Sequence, residues 1–142
     1  MDIRPVTDDF SVAPQLELDD FAELARMGFR HVINNRPDGE SPDQPSSAKA
    51  QEAAKAAGLT YVHAPFAGQP PAAAIDALRQ QLASANGPVI AYCRSGTRSI
   101  TAWAIAQAKS GMDVDAILQA VRNAGYNLDG LKEFLRNARS GY

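Results

Sequence analysis

The chain has 142 residues, of which 45% are hydrophobic and 21% charged, with a net charge of -2. That length suits one domain spanning residues 1–142, with a core large enough to need neither a disulfide nor a structural metal. The balanced charge excludes the basic footprint of a general nucleic-acid or membrane-surface binder. No apolar run reaches membrane-spanning length, and Met1 to Pro5 does not open a secretory leader. The expectation is a cytoplasmic protein without nucleic-acid or membrane partners.

Strand-like and helix-like segments alternate along the chain. Phe10–Ala13 reads as a first strand. Leu18, Phe21, Leu24 and Ala25 recur at helical spacing, and Gly28 supplies a stop. His31–Asn34 reads as a short buried strand. The stretch from Arg36 to Ser47, rich in Pro, Asp and Ser, reads as an exposed connection. Ser46 or Ser47 caps a helix through Ala50, Ala53, Ala54 and Ala57 that ends at Gly58. Thr60–His63 is the next strand. Pro70-Pro71 opens a helix through Ile75, Leu78 and Leu82, and Asn86-Gly87-Pro88 marks a turn. Val89–Tyr92 is wholly apolar and of strand length. Ile100, Trp103, Ala104 and Gln107 then follow helical spacing up to Gly111. Val114 to Val121 and Leu128 to Leu135 mark two closing helices. This order predicts an α/β fold, with a mostly parallel four- to five-stranded sheet flanked by helices.

The chemistry is concentrated between Tyr92 and Ile100. A buried strand stops, the chain turns through Cys93-Arg94-Ser95-Gly96-Thr97, and a helix begins near Arg98-Ser99. Backbone N–H groups of such a turn converge on one point, and the helix N-terminus adds partial positive charge. Gly96 admits a backbone conformation closed to other residues. Arg94 and Arg98 supply two permanent charges with forks suited to oxyanions. The same field favours thiolate over thiol at Cys93. Cys93 is therefore the candidate nucleophile and Arg98 its catalytic partner, with Arg94, Ser95, Gly96, Thr97 and Ser99 as the anion cradle. Thr97 contributes its amide; Ser99 caps the helix or bonds the thiolate. Arg36, at another strand end, is a further candidate for the pocket, although pairing with Glu40 is the commoner role for such an arginine.

A lone cysteine at a strand end is usually plain core. Two arginines within five positions argue against that here, because a core does not hold them unpaired. The chain has a single Cys, which cannot form an intramolecular disulfide or a thiolate-rich zinc site. No metal or cofactor is expected.

At this point the chain resembles known families. Cys93 to Arg98 looks like the active-site loop of rhodanese-type sulfurtransferases. Phe29 to Pro37 and Tyr61 to Phe66 resemble strands of dual-specificity phosphatases. Both features together, with Asp38-Gly39-Glu40, Gly58-Leu59, Pro88-Val89 and Ala124-Gly125-Tyr126, are similar to the phosphatase-like domain of beta-lactamase-hydrolase-like proteins. The resemblance implies a cysteine-phosphatase fold of the dual-specificity type. It leaves two chemistries open. Protein tyrosine phosphatases place five residues between Cys and Arg, a His before the Cys and an acid on the loop after the Tyr61–Phe66 strand. Here Cys93 and Arg98 enclose four residues, Tyr92 precedes the Cys, and Phe66 to Pro71 contains no Asp or Glu. Sulfur transfer needs that acid less, since sulfite and thiolates leave as stable anions. The first expectation is a sulfurtransferase moving a sulfane sulfur through a Cys93 persulfide, from a small oxyanion or persulfide substrate to an external thiol. The alternatives are a phosphatase working through phosphocysteine and a non-catalytic anion-binding module.

Overall fold

The computed structural model describes residues 1–84 and 86–141. Strands β1 (Arg4–Thr7) and β2 (Phe10–Ala13) form a hairpin, and β3 (His31–Asn34), β4 (Thr60–His63) and β5 (Val89–Tyr92) follow. Between and after them run helices α1 (Asp20–Arg26), α2 (Ser47–Ala56), α3 (Ala72–Ser84), α4 (Thr97–Lys109), α5 (Val114–Asn123) and α6 (Lys132–Arg139). A short 3-10 turn, Asp129–Leu131, leads into α6. The five strands lie in the order β1-β2-β5-β3-β4. Only β1 is antiparallel to its neighbour; the other pairings are parallel. Among the described residues no helix is long and apolar enough to cross a membrane.

β5 occupies the centre, and its residues are buried on both faces, as a parallel strand between helical layers requires. The strand period of two sorts its side chains. Val89 and Ala91 join the core beneath α3, α4, α5 and α6, whereas Ile90 and Tyr92 join the smaller core beneath α1 and α2. Cys93 continues the first parity, toward α4. Trp103 anchors that side: it is fully buried and stacks on Phe10 with ring centroids 6.0 Å apart.

Two local findings depart from the sequence expectation. β1 was not anticipated, because Arg4-Pro5-Val6-Thr7 carries a proline and alternates poorly. An edge strand tolerates both, and its register shifts beside Pro5. At the other end, Leu128, Leu131, Phe134 and Leu135 do not form one buried face. Leu135 is fully buried, but Phe134 is 40% exposed, because the 3-10 turn before α6 rotates its start relative to a continuous helix.

Trp103→Ala is expected to cost about 3–5 kcal/mol of stability, read as a lowered urea midpoint by circular dichroism.

Candidate active site

The carboxyl ends of β2, β5, β3 and β4 meet along one edge, where ligands of parallel sheets bind. Backbone bonds fasten these ends to one another. Cys93 N donates to Ala13 O (3.4 Å), Gln15 N to Arg94 O (3.2 Å), Asn35 N to Tyr92 O (2.8 Å) and Phe66 N to Asn35 O (3.2 Å). The loop from Cys93 to Arg98 emerges at the middle of this edge, and Gly96 starts α4.

Gly96 adopts φ +94°, in the left-handed region. This turn brings its amide onto the sulfur: Gly96 N donates to Cys93 Sγ at 3.1 Å. The site has no room for a larger residue. A Cβ on Gly96 would lie 2.1 Å from the hydroxyl of Tyr126. That hydroxyl donates to Ser95 O at 2.9 Å, holding the loop from outside. Tyr126 is in turn covered by Arg4, whose guanidinium carbon lies 5.8 Å from the ring centroid. Ser95 Oγ donates to Thr97 Oγ1 at 3.1 Å, and Ser95, Thr97 and Arg94 are exposed.

Cys93 itself has 0% exposure. The sulfur thus forms the floor beneath the turn, deeper than the anion-facing position expected from the sequence. Arg98, at the end of the loop, belongs to an ion cluster. Arg98 Nη1 and Nη2 donate to the two oxygens of Glu40 at 2.9 and 2.8 Å, and Nη1 also donates to Phe66 O at 3.0 Å. Arg36 Nε donates to Glu40 Oε1 at 2.9 Å, so one carboxylate serves two guanidiniums. These contacts raise the pKa of Arg98: the Glu40 hydrogen bond acts first, burial opposes it, and the charge of Cys93 adds to it. Glu40 is lowered from 4.5 to about 2, chiefly by the Arg98 hydrogen bond against a burial cost, then by Arg36 and both positive charges.

Several residues therefore act at one remove from the sulfur. Arg36 is buried and spans Glu40 and Gln15, with Nη1 donating to Gln15 Oε1 at 2.9 Å. It steadies Glu40 and does not face the turn. Ser99, fully buried, gives its proton to Asn35 Oδ1 at 2.8 Å. Its hydroxyl hydrogen therefore binds α4 to the end of β3 and not the thiolate. His63 Nε2 lies 2.9 Å from Arg36 O, fixing the same connection. Arg94 points outward, and its backbone carbonyl bonds Gln15. The loop thus keeps Cys93, Gly96 and Arg98 together, with Arg36 and Ser99 behind them.

A sequence model of the phosphatase-like domain of beta-lactamase hydrolase-like proteins matches residues 2–110. The chain belongs to this family. The matched part of this phosphatase-like domain runs from β1 through α4, so it includes Cys93, Glu40 and Arg98 but ends before Tyr126. A beta-lactamase hydrolase-like protein of Agrobacterium fabrum is 39% identical over 107 residues, which are 75% of this chain and 25% of that protein. The chain thus spans about a quarter of the curated relatives it matches. A crystal structure from Neisseria meningitidis, assigned provisionally as a phosphatase, is 35% identical, covers 98% of this chain and 99% of its own, and superposes with a TM-score of 0.84. Kinase associated phosphatase shares the fold at 14% identity and a TM-score of 0.71, over 93% of this chain and 86% of its own. The architecture is the cysteine-phosphatase fold of the dual-specificity type, and the family's phosphatase-like description favours the phosphatase alternative over the sulfurtransferase reading placed first above.

Sequence reasoning paired Glu40 with Arg36, as the structure has it, but missed two long-range contributions. Glu40 also binds Arg98, 58 positions away. Tyr126 lies 31 positions from Ser95 and was marked only by Ala124-Gly125-Tyr126.

Gly96→Ala is expected to destabilise the fold by at least ~1–2 kcal/mol from backbone strain alone, with the Tyr126 clash added; urea denaturation measures it. Glu40 gives a pH signature. A carboxylate whose folded pKa is depressed adds stability above its unfolded value and loses it as pH falls through the folded one. The urea midpoint is expected to fall between pH 4.5 and about 2. Glu40→Gln should start from a lower midpoint at neutral pH and vary less across that window.

Proposed function

We propose that this domain is a thiolate-dependent sulfurtransferase built on a cysteine-phosphatase fold. The observation that carries the reading is that neither the loop after β4 nor Glu40 offers a protonated carboxyl group to the turn. Phe66 to Pro71 contains no carboxylic acid, and Glu40 stays ionised down to about pH 2. An alkoxide leaving group departs poorly without a proton, and general acids at such positions are worth ~100 to 10,000-fold. Sulfite or a thiolate departs as a stable anion.

The thiolate of Cys93 attacks the outer sulfur of thiosulfate. The Sγ–S bond forms, the S–S bond of thiosulfate breaks, and sulfite leaves with the bond pair. Cys93 then carries a persulfide anion. An external thiolate takes the terminal sulfur and restores the Cys93 thiolate. No proton or oxidant is consumed. The acceptor is external because the chain has one cysteine. Arg98 serves the oxyanion, and the Glu40–Arg98 pair opens to admit it. The amides of the turn and the α4 N-terminus stabilise the negative sulfur.

A second reading, hydrolysis of a phosphate monoester through phosphocysteine, draws on the family. The Neisseria relative is assigned provisionally as a phosphatase, and kinase associated phosphatase has a catalytic-site cysteine. With no carboxylic acid on the loop after β4, this reading favours esters of acidic alcohols such as phenols.

Intact mass spectrometry after thiosulfate treatment is expected to show one added sulfur atom on the wild type and none on Cys93→Ser. Turnover of p-nitrophenyl phosphate that depends on Cys93, with no added sulfur, would establish hydrolysis instead.

A further inference from the structure

A cavity lies one helical turn along α4 from the thiol turn. It has a volume of about 200 Å³ and is lined in part by Gln69, Pro70, Thr101, Ile105, Leu131 and Phe134. Two parts of its lining trace back to the turn. Thr97, Thr101 and Ile105 form one stripe of α4 at spacings of four, and Thr101 Oγ1 donates to Thr97 O at 2.7 Å. The opposite wall, Gln69-Pro70, follows Phe66, whose carbonyl accepts from Arg98. The cavity is therefore the next space along α4 from the residues that hold the anion.

Its lining carries no charged side chain. The Thr101 hydroxyl hydrogen is committed to its own helix, which leaves Gln69 as the polar group on the opposite wall. Phe134 is 40% exposed, an uncovered ring that gains from burial by a ligand. An apolar cavity of about 150 Å³ already holds a benzene ring, so this one suits an aryl or branched alkyl group.

We infer that the sulfur donor is organic: a thiosulfonate or persulfide whose leaving part carries an aryl or branched alkyl group seated against Ile105, Leu131 and Phe134. This inference rests on the sulfur-transfer reading. With an aryl thiosulfonate, the Cys93 thiolate bonds the outer sulfur and the S–S bond breaks. The aryl sulfinate leaves with the electron pair, and Cys93 holds the persulfide anion. Charge is conserved, and neither proton nor oxidant is required. The leaving sulfinate keeps its oxygens near Arg98 and its ring in the cavity. Leu131 and Phe134 lie beyond the family match at residues 2–110, so this wall belongs to the part of the chain outside it.

The test compares benzenethiosulfonate with methanethiosulfonate as donors, by kcat/KM for persulfide delivery to a small thiol. The wild type is expected to prefer the aryl donor by about tenfold or more, the scale on which apolar pockets discriminate. Phe134→Asp and Leu131→Thr are each expected to bring that ratio to within about twofold of unity. Equal use of both donors by the wild type, or a preference that survives both substitutions, overturns the inference. Unreactive benzenesulfonate separates the two levels of the argument. If neither donor yields a persulfide, sulfur transfer fails as the function. Benzenesulfonate-induced methyl NMR shifts at Ile105 and Leu131 would then still support an aryl pocket, and unmoved methyls would remove it.

Discussion

One carboxylate between two guanidiniums organises the site. Glu40 lies in the connection between β3 and α2, yet its oxygens accept from Arg36 and Arg98. Arg36 has its side chain 5% exposed, a burial that a cation tolerates only when paired and hydrogen-bonded. Without Glu40, Arg36 would lose its ion partner and Arg98 the acceptor that holds both of its terminal nitrogens. The strand ends would also lose a bridge from β3 to the start of α4. The tie between the connection after β3 and the start of α4, and the low proton affinity of the neighbouring acid, both follow from this one cluster.

The fold was legible where local rules suffice. β2, β3, β4 and β5 lie where short apolar or β-branched runs placed them, because a buried parallel strand needs such a run and little else. Gly28, Gly58 and Gly111 take positive φ at or just beyond helix ends, which the stop signals had marked. β1 was hidden because an edge strand need satisfy only one neighbour. The partial exposure of Phe134 was hidden because spacing assigns a face to a helix but does not reveal that a 3-10 turn precedes it.

The site was legible as chemistry and illegible as architecture. Cys93, Gly96 and Arg98 are close in sequence, so their electrostatics could be reasoned from order alone. The groups that determine what they do come from elsewhere: Glu40 from the second connection, Asn35 from the end of β3, Tyr126 from beyond α5. Ser99 illustrates the difference. Next to Arg98 in the chain, it looks like a partner for the anion; in three dimensions its proton faces Asn35. Family membership fixes the architecture, and its phosphatase-like description favours a phosphate ester. The proposal of sulfur transfer rests instead on the proton inventory around the turn.

The depth of the sulfur has a chemical consequence. A sulfur with no exposed surface is not a standing target for peroxides or adventitious electrophiles. An oxyanion is the kind of group able to compete with Glu40 for the fork of Arg98. In a chain with one cysteine, which has no second thiol to rescue it, that shelter preserves the group on which the proposed chemistry depends.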